Sequence, residues 1–443
     1  MSWMEELSLN LQLLALSGIV EPPFVSGSLW KRSLFSLYMV TSVLVFIPVL
    51  LGELLALYHF WGDLVVITNN VFTLVGNLTF YGEALYIIAR RGEFMMLMKK
   101  LQDMLEHMPR PGAEQKMIAE KATKRSRVLT WSMLVMVYMV PFSWSMSPLV
   151  GMLFSNGEDI PEKSVLLEDE VEAFWKSLIS VMWLPLHDIE SPVKEIIYVC
   201  QVFVFLITAT YYISVNTVFV SFIVQTTGQF EILLATVHEM DDAVASWDLA
   251  PPGVTGDSTD TVLVDVFGSK ETKTMALRWL HRSDDPSKLR SYFLDVIRHH
   301  QAIIGFSKQL NDLLSPLLFI YFYSAQIMMC VMAFQMVLTW GQQNNFLKFL
   351  FGLLCVLAGP FFFCWQGNAL IEKSAEVERA VSGSGWYNRS ESFKRMVRLV
   401  IARAQRPVSL TAGKLYIVSM ETFAKMLNTV YYYFAVLKQL HEK

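Results

Sequence analysis

The sequence contains few charged residues. Of its 443 residues, 17% are charged and 53% are hydrophobic, and the formal net charge is −4. Soluble globular proteins carry roughly a quarter charged residues. The chain also lacks the excess of lysine and arginine that nucleic-acid binding requires, so no nucleic-acid partner is expected. Because the apolar residues fall in long blocks between charge-rich stretches, the composition indicates an integral membrane protein.

Cysteines and catalytic signatures are also scarce. The four cysteines, Cys200, Cys330, Cys355 and Cys364, lie in apolar blocks, with no Cys-x-x-Cys and no histidine nearby at ligand spacing. We therefore expect buried thiols and no disulfide, metal site or cofactor. A Gly-rich phosphate loop and a nucleophile elbow are absent from the sequence, which argues against an enzyme. The first residues resemble no secretory leader, so the first span is expected to act as an uncleaved anchor.

Seven apolar blocks are long enough to cross a bilayer as helices, which takes about 20 residues each. We predict an all-α, seven-transmembrane protein with spans at 33–59, 64–89, 128–154, 193–224, 313–338, 346–370 and 410–437. Each block contains polar or helix-disturbing residues, which indicates a bundle with protein-facing or water-facing sides. Glu83 is such a residue: an intramembrane charge is a functional candidate, although Arg90 could simply pair with it.

Lysine and arginine between the spans predict the orientation, because these residues are enriched in cytosolic loops. The loop 90–127 contains ten of them and the segment 372–406 contains eight. The loop 155–191 has nine acidic residues against two lysines, as expected on the outside. The N-terminus is therefore predicted to be cytosolic and the C-terminus extracellular, which is inverted relative to G-protein-coupled receptors.

The predicted division of the chain follows these spans. Residues 1–224 contain a cytosolic segment and spans one to four. Residues 225–312 contain cytosolic extensions of spans four and five, with a disordered loop at 247–273 between them. Spans five and six follow at 313–370, a cytosolic helix at 371–409 and the last span at 410–443. The basic, amphipathic stretch 392–405 is typical of a lipid-surface helix or of a subunit interface. His299 and His300 point about 100° apart on a helix, which disfavours metal binding.

The last hundred residues carry the most specific motifs. They are a Phe-x-x-Cys-Trp-x-Gly-Asn-x-Leu-Ile run, a serine after it, a Trp-Tyr pair, a Leu-Thr-Ala-Gly-Lys start and a Tyr-Tyr-x-x-x-Leu end to the last span. The positions are Phe361, Cys364, Trp365, Gly367, Asn368, Leu370, Ile371, Ser374, Trp386, Tyr387, Leu410, Thr411, Ala412, Gly413, Lys414, Tyr432, Tyr433 and Leu437. These motifs resemble the C-terminal signature of insect odorant receptors, and the length, seven spans and inverted topology match that family along the whole chain.

The resemblance implies one subunit of a tetrameric, ligand-gated, non-selective cation channel, in which an odorant-binding subunit assembles with a common odorant receptor co-receptor. It implies a place among the lipids of the plasma membrane, in the dendrites of olfactory sensory neurons. The co-receptor has a larger cytosolic insertion, which favours an odorant-binding tuning subunit here.

Two alternatives stay open. Gustatory receptors end their last span with a threonine and a phenylalanine where this chain has Tyr432 and Leu440. A secondary transporter is also a multi-span bundle with buried polar residues, but transporters often show two related halves, and no such repeat is evident.

The resemblance also places a ligand site in the outer halves of spans two, three, four and six. These spans supply an aromatic and methionine-rich lining without formal charge, which suits a small neutral volatile molecule. Plain helix packing is the alternative interpretation of such a stripe. The candidate residues are Phe72, Thr73, Gly76, Asn77, Phe80, Tyr138, Phe142, Ser145, Met146, Tyr198, Gln201, Val202, Phe205, Phe351, Gly352 and Cys355.

The pore is expected along the last span. By position relative to the family's end motif, Val436, Gln439 and Leu440 would line and close it, since an apolar ring can close a pore by dewetting and a glutamine ring offers oxygens to a cation. On the residues alone, Val436 and Leu440 share one helical face and could be packing residues. Lys438 is unexpected beside a cation pore. It either snorkels to the outer surface or faces the conduit, where it would repel divalent ions.

Overall fold

The computed structural model describes residues 8–22, 28–106, 112–154, 174–175, 178–184, 192–249, 286–339 and 343–441. In these ranges the chain is a helical bundle with one small hairpin. The elements are α1 (Ser8–Leu16), α2 (Leu29–Leu44), α3 (Phe46–His59), α4 (Leu64–Ala89), α5 (Arg91–Glu106), α6 (Ala113–Phe154), α7 (Val193–Leu249), α8 (Pro286–Leu338), α9 (Gln343–Gly383), a 3₁₀ helix (Trp386–Asn388), α10 (Glu391–Ala404), β1 (Thr411–Ala412), β2 (Tyr416–Ile417) and α11 (Met420–His441).

Six helical segments are long and apolar enough to cross a membrane, and they coincide with the first six predicted spans. The helix α4 matches the prediction 64–89 at both ends, with Asp63 capping its start by accepting a hydrogen bond from the Val66 N–H at 3.2 Å. The helices α6 to α9 continue beyond the predicted spans. In particular, α7 extends to Leu249 and α8 begins at Pro286, so both run past the expected membrane boundary without a break. The loop predicted at 247–273 lies outside the described residues from 250 onward.

The first predicted span is divided into α2 and α3 at Val45. Pro48 lies one turn after this point. It has no N–H to donate to the carbonyl of Leu44, and its ring crowds that carbonyl, so a regular helix is interrupted here. The two helices together still form one candidate span, and few of its side chains are buried within the chain.

The seventh predicted span starts later than expected. Residues 411–417 form the antiparallel β1–β2 hairpin, and α11 begins at Met420. At the turn, Gly413 and Lys414 have φ values of 62° and 59°, a left-handed conformation that no α-helix continues through. The 22 residues of α11 measure about 33 Å, enough to cross a membrane, but Glu421 and Lys425 in its first turns make it more polar than the other six spans.

The hairpin attaches the start of α11 to α8. The Thr411 N–H donates to Asn311 Oδ1 at 2.7 Å, and the Gly413 N–H donates to the Ser315 carbonyl at 2.8 Å. A Cβ atom on Gly413 would lie 2.7 Å from the ring of Phe319. The Leu-Thr-Ala-Gly-Lys motif is thus explained by a tight turn pressed against a neighbouring helix.

The amphipathic stretch forms α10, and its apolar stripe packs inside the chain. Phe393, Val397, Val400 and Ala404 are buried, and the ring of Phe393 lies 5.1 Å from that of Phe293 on α8. The stripe is therefore occupied by neighbouring helices of the same subunit. It is available neither to a lipid surface nor to a second subunit, the two alternatives that the sequence left open.

His299 and His300 are both buried between α7 and α8. His299 Nε2 lies 2.9 Å from Gln229 Oε1, and the His300 ring packs edge-on against Phe230. Within the described residues, no three histidine, cysteine, aspartate or glutamate side chains come together as a metal site would require. The pair belongs to the helix packing of this region.

Candidate ligand cavity and pore helix

A mostly apolar cavity lies between α4, α6, α7, α8 and α9. About 700 Å³ within it is not occupied by protein atoms, a figure that includes open space at its mouth. Its lining consists of Phe72, Thr73, Gly76, Asn77, Phe80, Val137, Val140, Pro141, Phe205, Thr208, Ala209, Tyr212, Tyr321, Ser324, Ala325, Met328, Gly352, Cys355 and Val356. None of these side chains carries a formal charge.

Eight of the sixteen candidate ligand residues are brought together in this lining. They are Phe72, Thr73, Gly76, Asn77, Phe80, Phe205, Gly352 and Cys355. All five candidates on α4 are among them. The other eight lie off the lining: Tyr138, Phe142, Ser145, Met146, Tyr198, Gln201, Val202 and Phe351.

On α6 the lining face differs from the predicted one by about one residue. The structure turns Val137, Val140 and Pro141 toward the cavity. One residue corresponds to a rotation of about 100°, enough to exchange an inward face for an outward one. Phe142 is accordingly 61% exposed, and the Tyr138 hydroxyl lies 2.8 Å from Thr210 Oγ1, outside the cavity.

On α7 the lining lies deeper than predicted. It runs over Phe205, Thr208, Ala209 and Tyr212. The predicted residues nearer the start of the helix hold other parts of the chain in place: the Tyr198 hydroxyl donates to the Ser145 carbonyl at 2.7 Å, and Gln201 Nε2 donates to the Ser180 carbonyl at 2.9 Å. Both contacts lie above the cavity, toward the predicted outer side.

The helix α8 lines the cavity although no ligand residue was predicted on it. Its contribution is Tyr321, Ser324, Ala325 and Met328. Their spacing of three, four and seven residues is that of a single helical face, which the sequence alone already displays. The aromatic, hydroxyl and methionine side chains on this face were the sequence feature that could have identified α8 as part of the candidate ligand site.

Asn77 is the only amide among the described residues of the lining, and a buried carboxylate orients it. Its Nδ2 donates to Glu53 Oε1 at 2.9 Å, and its Oδ1 accepts from Thr208 Oγ1 at 3.4 Å. Glu53 is fully buried on α3 and also accepts from the hydroxyl of Ser180. The carboxylate therefore joins α3, α4 and the segment 178–184. The sequence indicated only that Glu53 was a polar residue in a span.

A pair of tyrosines closes the predicted inner end of the cavity. The hydroxyls of Tyr212 on α7 and Tyr321 on α8 lie 2.9 Å apart. Gly359 on α9 faces them so closely that a Cβ atom would lie 1.8 Å from the Tyr321 hydroxyl and 2.6 Å from that of Tyr212. Only glycine fits at this position without moving the pair.

Glu83 lies one turn further along α4 than the cavity. It is buried and accepts from Asn216 Nδ2 at 3.2 Å. Arg90, the partner considered from the sequence, instead donates to Glu93 at 2.9 Å. The pairing of Glu83 with Arg90 is therefore not formed, and the carboxyl belongs to the contact between α4 and α7.

The candidate pore residues lie near the end of α11. In the single chain Val436 is 39% exposed and Gln439 is exposed as well. The Leu440 side chain lies outside the described residues. Because α11 is continuous to His441, its register can be read directly: Gln439 lies about 60° from Val436 around the helix, whereas Lys438 lies about 200° away. A pore that faces Val436 and Gln439 therefore has Lys438 on the opposite side of the helix.

The model of one protein family, described as "7tm Odorant receptor", matches residues 63–431. The chain belongs to the odorant receptor family. The match includes the five helices around the cavity and about the first half of α11. The family resemblance predicted from the C-terminal motifs is confirmed.

Three relatives show how far the similarity extends. Odorant receptor Or2 of Anopheles gambiae is 29% identical over 147 residues, covering 33% of this chain and 39% of the relative. Odorant receptor 10 of Aedes albopictus is 24% identical over 252 residues, covering 57% of each chain. The odorant receptor coreceptor of Anopheles gambiae is 31% identical over 153 residues, covering 34% of this chain and 32% of the relative. The chain thus spans between about a third and three fifths of these relatives.

The solved structures extend the comparison to the full odorant receptor fold. The insect olfactory receptor OR5 from Machilis hrabei in complex with eugenol superimposes with a TM-score of 0.74 at 13% identity, covering 98% of each chain. A second structure of the same receptor gives a TM-score of 0.72, also at 13% identity. Since the overlap covers nearly the whole chain, the likeness includes α11 as the seventh long helix. The protein is a multi-pass membrane protein of this fold.

Proposed function

We propose that the chain is the odorant-binding subunit of a ligand-gated, non-selective cation channel. It assembles as a heterotetramer with the odorant receptor co-receptor in the plasma membrane of olfactory sensory dendrites. A small neutral volatile molecule binds in the cavity between α4, α6, α7, α8 and α9. Binding opens a pore lined by α11, at Val436, Gln439 and Leu440.

The uncharged cavity is the observation that carries this proposal. Its walls are aromatic and aliphatic, and the polar groups are a few hydroxyls, one thiol and the amide of Asn77. An apolar pocket with a few convergent polar atoms suits a small neutral organic ligand and would bind an ion or a sugar poorly. The family of the chain, and the complex of the similar OR5 structure with eugenol, support the same interpretation.

Two helices connect the cavity to the pore helix. The helices α8 and α9 supply cavity residues and also pack against α11. The ring of Phe361 on α9, for example, lies 5.7 Å from that of Phe423 on α11. A ligand that fits only one arrangement of α8 and α9 would therefore favour one arrangement of α11, which is the requirement for ligand gating.

Voltage-clamp recording with and without the co-receptor tests the proposal. We expect a volatile-evoked cation current when the chain and the co-receptor are expressed together. The same volatile should evoke no current when the co-receptor is expressed alone. Saturable substrate uptake without channel openings would contradict a channel and favour a transporter.

A pair of variants on α6 tests the place of the site. Val140→Trp fills the cavity and should reduce the potency of the volatile by at least about tenfold, because a bulky side chain occupies the ligand's space. Phe142→Trp, two residues away and exposed, is the matched control and should change potency less than about twofold. Equal effects of both variants, at equal surface expression, would contradict this placement.

A further inference from the structure

We propose that the hydroxyl pair of Tyr212 and Tyr321 is a hydrogen-bond donor at the inner end of the cavity, and that it selects volatiles with an acceptor oxygen, such as ketones and esters. The inference rests on the proposed function of the same cavity and names the chemical class of its ligands. It follows from counting where each polar proton of the lining is used.

The serine and threonine hydroxyls of the lining already donate their protons to acceptors within the protein. A serine or threonine hydroxyl has one proton to donate. Thr73 donates to the Asn70 carbonyl at 3.0 Å, and Ser324 donates to the Tyr321 carbonyl at 2.9 Å. Thr208 has two acceptors for its one proton, the Val204 carbonyl at 3.0 Å and Asn77 Oδ1 at 3.4 Å. These three side chains therefore have no proton left for a ligand.

The amide of Asn77 presents an acceptor to the cavity. Its nitrogen is on the side of Glu53, which does not line the cavity, and its oxygen is on the side of Thr208, which does. The thiol of Cys355 is only a weak donor. Apart from the second Nδ2 proton of Asn77, the middle of the cavity therefore offers only this weak donor.

The tyrosine pair is different because it holds one proton more than it uses. Two hydroxyls carry two protons, and the bond between Tyr212 and Tyr321 at 2.9 Å consumes one. Among the described residues, this bond is the one hydrogen bond that either hydroxyl makes. Whichever tyrosine donates, the other keeps a free O–H, and a buried donor without a partner is unfavourable. An acceptor oxygen from a ligand would satisfy it.

The surroundings direct that proton toward a ligand. Both side chains are almost fully buried and line the cavity at its inner end. Gly359 covers the hydroxyls from the side of α9 at a distance that leaves no room for another group, and the ring of Phe80 lies 4.5 Å from that of Tyr212. The accessible approach is along the cavity. A ligand with an oxygen at one end and an apolar body would place the oxygen here and the body along α4 and α8.

Paired ligands and phenylalanine variants test this inference. The probes are the 2-alkanones from 2-pentanone to 2-decanone and the 2-methyl-1-alkenes in which a methylene group replaces the carbonyl oxygen. The chain is expressed with the co-receptor, and potency is measured from current. In the wild type, the most active ketone should be at least about tenfold more potent than its alkene, since a hydrogen-bonding site discriminates strongly against a ligand that lacks the bonding group.

Single and double variants test whether either tyrosine hydroxyl alone can serve as the donor. Tyr212→Phe and Tyr321→Phe each leave one hydroxyl with one free proton, so each should keep the ketone preference within about threefold of the wild-type ratio. The double variant has no hydroxyl, and its ketone and alkene potencies should become equal within about twofold. A retained response to the alkene shows that the double variant is folded and gated.

Several results would overturn the inference. One is a wild-type channel that responds equally to ketone and alkene, which needs no variant to be observed. Another is a double variant that keeps the ketone preference. A channel that opens to hydrocarbons but to no ketone would also overturn it while leaving the proposed function in place. Silence toward every volatile in a broader panel, with the complex at the cell surface, would contradict the proposed function itself.

Discussion

Glu53 is a single residue on which three parts of the chain depend. Its carboxylate accepts hydrogen bonds from Asn77 on α4 and from Ser180 in the segment 178–184, and it is fully buried. A buried polar group is tolerated when its partners are present and becomes costly when one of them is removed. Glu53 thereby controls the orientation of Asn77, an amide that lines the cavity.

Replacement of Glu53 should lower both stability and ligand response. Glu53→Ala leaves the amide of Asn77 and the hydroxyl of Ser180 without their partner, at a cost of about 1–3 kcal/mol for each buried group. Glu53→Gln keeps the size and one acceptor oxygen, so a smaller loss is expected. Thermal unfolding of the detergent-solubilised protein measures the difference.

Glu93→Ala is the control, because it removes an exposed ion pair with Arg90 and should change the unfolding temperature little. Equal shifts for Glu53→Ala and Glu93→Ala would contradict the role of Glu53.

At the scale of the helices, the sequence predicts where spans lie better than which way their faces point. The six apolar runs coincide with observed helices, and α4 has the predicted start because Asp63 caps it. The face of α6 could not be deduced, because a membrane helix is apolar toward lipid and toward protein alike. Val140 and Phe142 are therefore both apolar residues that the sequence does not distinguish, yet Val140 lines the cavity and Phe142 is exposed. The hairpin was missed for a related reason: residues 410–419 continue the apolar run of the last span, and only the left-handed backbone at Gly413 and Lys414 interrupts it.

The register of α11 yields a prediction about the pore. Gln439 lies on the same side of the helix as Val436, whereas Lys438 lies on the other side. Gln439→Glu should raise calcium permeability relative to sodium by about twofold or more, because a ring of carboxylates attracts divalent cations. Lys438→Glu introduces the same charge one residue away and should leave the ratio nearly unchanged. Reversal potentials in bi-ionic solutions measure both. A larger effect at Lys438 than at Gln439 would contradict this register and place the lysine in the conduit.

At the scale of the whole molecule, two helices that line the cavity, α8 and α9, also pack against α11, the proposed pore helix. The helices α8 and α9 line the cavity near its inner end, and the hairpin before α11 is bonded to Asn311 and Ser315 of α8. Side chains on α11, including Val436 and Tyr431, are exposed in the single chain, as the proposed assembly of subunits around α11 requires. A ligand in one subunit would thus act on the pore through packed helices that have contacts with both regions.

The most direct test is an electron cryo-microscopy structure of the channel formed with the co-receptor, determined with and without an activating volatile. We predict ligand density inside the cavity, between Asn77 and the pair Tyr212 and Tyr321, together with a wider pore at Val436 in the ligand-bound state. Ligand density elsewhere in the subunit, with this cavity empty, would contradict the central claim. So would a pore whose width at α11 is unchanged in a complex that carries ligand-evoked current.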